Sequence, residues 1–306
     1  MDKIFAIINP VSANRATSKE WPGFKKILLE KGYELEDAYT EYPGHGTELS
    51  RQALKAGFRT IMSVGGDGTM NEVMNGFFED GSPVAAASRL VVFSRGTGCD
   101  FIKSLGINKG IEDLLAVLQR NEEKLIDVGR ADITGRDENS YTRYFANVAD
   151  IGIGAETANR VNKHSKRLRG KLSFMLGTAT TLMLYRNKEL EVAVDEETVI
   201  KEKMSLVVIA NGKYFGGSMK VAPDAVLDDG LFDVIIFGDL SKPDFIRSFP
   251  LVYEGRHMSH PKLRLIRGSR VKVKSGGTAL LELDGEIPGH DDVEFTIMKK
   301  ALKLLV

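Results

Sequence analysis

Residues 65–69 read Gly65-Gly66-Asp67-Gly68-Thr69, between the apolar run Thr60-Ile61-Met62-Ser63-Val64 and a stretch that sets Met70, Val73, Met74 and Phe77 at helical spacing. A buried strand that turns through three glycines into a helix exposes backbone N–H groups and the positive end of a helix dipole. That arrangement suits a phosphate. The glycines open dihedrals closed to other residues. Asp67 is the odd member, because an acid in a phosphate cradle repels its ligand unless a cation lies between them or it takes a proton. The bland alternative is a tight packing turn, with Thr69-Met70-Asn71-Glu72 acting as a capping box in which Thr69 is the N-cap and Glu72 reaches back.

The same alternation extends over the first 130 or so residues. Strands are expected at Lys3–Ile8, Glu34–Tyr39, Arg59–Val64 and Arg89–Phe93, and helices at Lys19–Lys31, Thr47–Ala56, Met70–Phe78 and Ile111–Arg120. Strand and helix in turn imply a parallel sheet covered on both faces, which binds ligands beyond the carboxyl ends of its strands. After about Asp132 the texture changes to short strand-like runs: Tyr141–Val148, Glu189–Val194, Met204–Ala210, Phe232–Phe237, Arg270–Ser275, Ala279–Leu283 and Val293–Met298. Two helices, Glu156–Lys163 and the apolar Leu172–Tyr185, interrupt them. The expected fold is an α/β nucleotide-binding domain over 1–132 and a β-rich, antiparallel sandwich domain over 133–298, with a cleft as the expected site. Residues 299–306 form a C-terminal segment free to return to the first domain.

Charge excludes some partners. Lys plus Arg equals Asp plus Glu at 42 each, so no global field draws the chain to nucleic acid or membrane. Cys99 is the only cysteine, which excludes an intrachain disulfide and fits a reducing compartment. Ile4–Ile8 is too short for a signal-peptide core, and Leu172–Tyr185 too short for a membrane span. A cytoplasmic protein is expected, with peripheral contact at the inner membrane face left open. The segment from Lys163 to Lys171 carries five cations in nine positions before that apolar stretch. It reads either as a solvated helix end or as a contact for anionic headgroups or nucleotide phosphate.

Further acid-bearing turns bear on the chemistry. Asn9-Pro10-Val11-Ser12 follows the first strand, and Ser94-Arg95-Gly96-Thr97-Gly98-Cys99-Asp100-Phe101 forms a second glycine-rich turn ending in an acid. Asp127 follows Leu125-Ile126. Asp228-Asp229-Gly230 and Asp284-Gly285-Glu286 place acids on turns of the second domain. Such acids usually make tight turns, yet clustered Asp with free carbonyls also suits Mg²⁺. No P-loop, dinucleotide fingerprint, protein-kinase set or nucleophile elbow is present.

Taken in order from residue 9 to 286, these motifs resemble the diacylglycerol kinase catalytic-domain superfamily, which includes bacterial soluble lipid kinases. The resemblance implies an NAD kinase-like fold and ATP- and Mg²⁺-dependent phosphorylation of a lipid hydroxyl, most simply a diacylglycerol-like one. By position, Asn9, Gly65, Gly66, Asp67, Gly68, Thr69, Glu72 and Thr97 match nucleotide-holding residues, with Lys166 a basic residue near the cleft. Asp67, Asp100 and Asp127 match acids organising catalytic Mg²⁺. Asp229, with main-chain oxygens of Val226 and Leu231, matches a structural Mg²⁺ site. Glu286 matches the general base, with Asp67 as its catalytic counterpart.

One departure is Cys99, which stands where the family commonly has Asn. The implied partner is a lipid substrate at a membrane surface, with no nucleic acid, and a homodimer is compatible with the sequence. A soluble-substrate kinase related to NAD kinase and a nucleotide-binding regulator are the rival readings.

Overall fold

The computed structural model describes residues 3–96, 98–134, 140–164, 180–181, 184–290 and 292–306. The chain divides into two compact units, one running to Val128 and completed by Met298–Val306, the other Gly129–Ile297.

The first unit is built on a parallel sheet. Strands β1 (Ile4–Ile8), β2 (Leu35–Tyr39) and β3 (Thr60–Gly65) come first, then a small hairpin of β4 (Phe78–Glu79) and β5 (Ser82–Pro83), and then β6 (Arg89–Ser94). The sheet order is β2-β1-β3-β6, with every pairing parallel. Helices α1 (Ala16–Glu30), α2 (His45–Lys55), α3 (Asp67–Asn75), α4 (Asp100–Ser104) and α5 (Ile111–Arg120) supply the crossovers. Strand β3 is buried at every position, which is why it reads as an unbroken apolar run rather than an alternation. Its Met62 and Val64 pack with Ile4, Ile8, Val91 and Phe93 against Trp21 and Leu28 of α1 and the Leu114–Leu118 face of α5. Trp21 anchors α1 by donating its indole N–H to Asp37 at 2.7 Å.

The second unit is antiparallel. It takes in the end of β7 (Glu123–Thr134), then β8 (Ser140–Phe145), β9 (Val148–Gly152), helix α6 (Ile153–His164), β10 (Lys188–Val194), β11 (Thr198–Met204), β12 (Leu206–Ala210) and β13 (Phe232–Phe237). Helix α7 (Lys242–Glu254) follows, and then β14 (Leu263–Gly268), β15 (Arg270–Lys274), β16 (Leu281–Leu283), β17 (Glu286–Gly289) and β18 (Asp292–Leu305). One sheet runs β14-β13-β12-β9-β16-β17, and β11-β10-β15-β18 pair in a second. Their inner faces share a core in which Val207, Ile209, Val234 and Ile236 meet Val192, Val271, Val273 and Phe295. The outer residues of the first sheet, Leu206, Val208, Ala210, Ile235 and Phe237, are covered by α7 through Phe245, Phe249 and Val252. Both faces of β12 are therefore buried, which explains its continuous apolar sequence.

Several expected elements differ. Tyr141–Val148 is two strands, because the chain leaves β8 at Phe145 and enters the other sheet at Val148. Met204–Ala210 is also divided: at Ser205 the chain switches sheets, its N–H bonding Phe237 O at 2.9 Å and its hydroxyl bonding Gly238 O at 2.9 Å. The last strand is far longer than Val293–Met298. Its first part pairs with β15 and its end pairs with β6 at Leu304↔Leu90, with a positive-φ residue, Lys300, between. The alternative reading of Thr69 and Glu72 as a capping box is not met, since α3 begins at Asp67 after Gly66. A reciprocal capping box does close the start of α7, between Ser241 and Asp244. That helix, with β7, β11 and β14, was not expected from the sequence. The apolar Leu172–Tyr185 stretch falls mostly outside the described residues. Among the described residues no helix is long and apolar enough to cross a membrane.

Candidate active site

In the first unit, three turns gather at the carboxyl ends of β1, β3 and β6. The N–H of Asn9 donates to Val64 O at 3.0 Å, and its side-chain amide donates to the Thr69 hydroxyl at 2.9 Å, tying the first turn to α3. The chain past Asn9 is strained: Ala13, Asn14 and Arg15 have φ of 50°, 56° and 68°. A left-handed conformation costs Ala13 and Arg15 roughly 1–2 kcal/mol each, and Asn14 less. The two glycine turns touch. A Cβ on Gly96 would lie 2.6 Å from Gly66 Cα, so only a residue without a side chain fits there.

Asp67 opens α3 with its carboxylate turned inward, accepting the N–H of Phe101 at 3.3 Å. Burial pushes the Asp67 carboxyl up and the charge of Asp100 adds to the push, while the N–H groups of Phe101, Asp100 and Cys99 oppose it. The two carboxylates flank Gly98. Asp100 is 5% exposed and pairs with Lys103 at 2.8 Å, and the same ammonium donates to Gly98 O at 2.9 Å. An acid whose charge is disfavoured by burial and by a neighbouring carboxylate is a suitable donor for a divalent cation, which removes that repulsion.

Cys99 is wholly buried at the N-cap of α4 with φ 52°, its thiol 3.0 Å from Gly96 O. Its influence is therefore on the shape of the turn.

The structure does not bring every expected residue to this group. Glu72 accepts the N–H groups of Gly44 at 2.8 Å and Gly46 at 3.0 Å, so both its oxygens hold the start of α2. Asp127 is fully buried and accepts the N–H of Lys300 at 2.6 Å, which fixes the left-handed residue within β18. Among the described residues no three acids, histidines or cysteines form a metal-binding group, so Asp67, Asp100 and Asp127 do not make a three-acid site. Thr97 and Lys166 lie outside the described residues, as does most of the basic 163–171 segment.

In the second unit, Asp284 and Gly285 form a two-residue turn with φ of 47° and 96° that returns Leu283 onto Glu286. Asp-Gly with both residues at positive φ is the favoured tight hairpin turn. The Asp284 carboxylate is buried and accepts three backbone N–H groups, from Ala146 at 2.8 Å, Asn147 at 3.1 Å and Val148 at 2.9 Å. Glu286 is thereby set, exposed, at the start of β17.

Asp229 is engaged differently from the expected metal site: its carboxylate pairs with Arg267 and accepts the N–H of Leu231 at 3.1 Å. As placed, the Asp229 carboxylate is engaged in an ion pair with the Arg267 guanidinium. Sequence reasoning overlooked Asp150 and Glu282, both buried acids. Their signal was a lone acid inside the apolar runs Val148–Ile151 and Leu280–Leu283.

A glycine-rich strand-to-helix turn beside two carboxylates, at the carboxyl ends of a parallel sheet, is an arrangement suited to a phosphate group. The diacylglycerol kinase catalytic-domain model matches residues 3–131, and the model of the YegS C-terminal NAD kinase beta sandwich-like domain matches 147–306. The chain belongs to this diacylglycerol kinase family. A diacylglycerol kinase from Bacillus subtilis (strain 168) is 29% identical, the match covering 100% of this chain and 97% of that one. One from Staphylococcus aureus (strain Newman) is 26% identical over 96% of this chain and 89% of its own. A crystal structure of a diacylglycerol kinase from Bacillus anthracis str. Sterne shares the fold with a TM-score of 0.73, at 20% identity over 99% and 96% of the two chains. An NAD kinase from Archaeoglobus fulgidus in complex with ATP is a more distant neighbour, with a TM-score of 0.51 and 12% identity over 99% and 93%.

Proposed function

We propose that the protein transfers the γ-phosphate of ATP to a hydroxyl of a diacylglycerol-like lipid at a membrane surface, with Mg²⁺. The observation that carries this reading is half-buried Asp67 and buried Asp100, whose carboxylates meet beside Gly98 next to the Gly65–Thr69 turn. The relatives from Bacillus subtilis and Staphylococcus aureus are named diacylglycerol kinases, which supports a lipid as acceptor.

The N–H groups of the glycine turn bind phosphate oxygens, and Asn9 with Thr69 holds the turn in register. Asp67 and Asp100 would hold the cation, which would supply neutralisation of charge on the phosphates. Glu286 takes the proton from the lipid hydroxyl as its oxygen bonds to the γ-phosphorus and the bond to the β-phosphate oxygen breaks, leaving ADP. Asp284 holds the turn that presents Glu286.

The test is transfer of labelled γ-phosphate from ATP and Mg²⁺ into a total lipid extract, with NAD supplied in parallel as a soluble acceptor. Labelled lipid from the wild type that is lost in Asp67→Ala and Glu286→Gln is the expected result. Label in NAD alone, or ATP binding without transfer to either, overturns it.

A further inference from the structure

Two of the most buried acids in the second unit have no part in the roles above. Asp150 in β9 and Glu282 in β16 are cross-strand partners in the antiparallel register and are 1% and 7% exposed. Asp150 accepts the N–H of Ala155 at 2.7 Å. Glu282 Oε1 accepts the N–H of Gly285, inside the turn that leads to Glu286. Its other oxygen, Oε2, is buried without a hydrogen-bond donor.

Two ionised carboxylates offer only acceptors, so neither can satisfy that oxygen. The surroundings give no relief either. The charge of Asp284 also reaches Glu282, and the buried hydroxyl of Tyr185 feels both Asp150 and Glu156. Among the described residues no lysine or arginine acts on either member of the pair. Burial raises both carboxyls, and the charge of Asp150 drives Glu282 further up. One proton on Glu282 Oε2, donated toward Asp150, satisfies the orphaned oxygen and removes one of two facing charges.

We propose that Asp150 and Glu282 share a proton and, through the Glu282–Gly285 hydrogen bond, form the positioning element that aims Glu286. The shared proton stands on its own geometry. The consequence for turnover rests on the reading of Glu286 as the base.

Glu282→Gln separates these. Its amide keeps an oxygen for the Gly285 N–H and a permanent donor for Asp150, mimicking the protonated pair at every pH. Thermal unfolding midpoints and kcat are measured from pH 5 to 9 for wild type, Glu282→Gln and Glu282→Ala.

The wild type is expected to lose stability as pH rises from the ordinary carboxylate range through the raised values, since the folded state holds the extra proton. Its kcat falls in parallel and levels off toward that of Glu282→Ala once the proton is gone. Glu282→Gln flattens both alkaline declines. Glu282→Ala lowers kcat at least about tenfold while KM for ATP moves less than about twofold, the mark of an interaction felt in the chemical step.

The same alkaline decline in stability in Glu282→Gln as in wild type overturns the shared proton. Equal kcat in Glu282→Ala and wild type overturns the positioning role. If no lipid is phosphorylated by any variant, the kinase reading fails, and the stability comparison still decides the proton.

Discussion

Replacing Asp284 with Asn changes one oxygen of a buried carboxylate into an NH₂ group, and its cost follows from the three N–H groups that carboxylate accepts. Oδ1 takes those of Asn147 and Val148 at 3.1 and 2.9 Å, and Oδ2 takes that of Ala146 at 2.8 Å. The amide oxygen keeps the first two as weaker, neutral bonds, and the NH₂ group is left facing the Ala146 N–H, donor to donor. One charge-assisted bond lost, at about 1.5–3 kcal/mol, plus weakening of the other two gives about 2–4 kcal/mol. Asp284→Ala leaves all three N–H groups without acceptor and puts Ala at φ 47°, so it costs more.

Because the chain has two units, global unfolding need not be two-state. Amide hydrogen exchange at Ala146, Asn147 and Val148 reads the site directly. Protection at these amides is expected to fall by at least about tenfold in Asp284→Asn, in line with a loss above 1.4 kcal/mol. Unchanged protection at all three would show that the carboxylate does not hold the β8–β9 corner, and the account of how Glu286 is presented would fall with it.

Asp67→Asn removes a half-buried charge that the charge of Asp100 opposes. Because the Asp67 carboxyl is raised in the folded state, the wild type loses stability as pH climbs above the ordinary carboxylate range, and the variant's thermal midpoint should decline less over pH 4–8 while phosphate transfer falls at least about a hundredfold. Cys99→Asn places a residue tolerant of left-handed backbone at φ 52° and is expected to stabilise by about 0.5–1 kcal/mol; a loss above about 1 kcal/mol in urea titration would refute the view that Cys99 acts through the turn. Glu72→Gln keeps one of the two bonds to the start of α2, in weaker neutral form, and sets an NH₂ group against the other N–H; it should cost about 1.5–3 kcal/mol with KM for ATP nearly unchanged, whereas a large rise in KM would return Glu72 to the nucleotide.

Strand and helix in the first unit were legible because burial on both faces writes itself locally, as continuous apolar runs such as Thr60–Val64 followed by a helical stripe. Motif spacing likewise exposed the glycine turns, since their backbone demands are met within a few residues. The functions of individual acids were less legible. Asp67 and Asp100 come together through two turns on neighbouring strands. Asp127 looks the same in sequence and instead secures a backbone N–H from Lys300, which is 173 positions away. Glu72 fits a capping box by spacing, yet α2 lies close enough to claim both its oxygens.

The sequence by itself determined the alternation of elements, the change of texture near residue 130 and the turns able to cradle phosphate, because each depends on neighbours along the chain. Which acids face a ligand, which hold backbone and which share a cross-strand pair was decided only by the tertiary structure. A carboxylate's role is set by the donors and charges around it, and those arrive from distant strands.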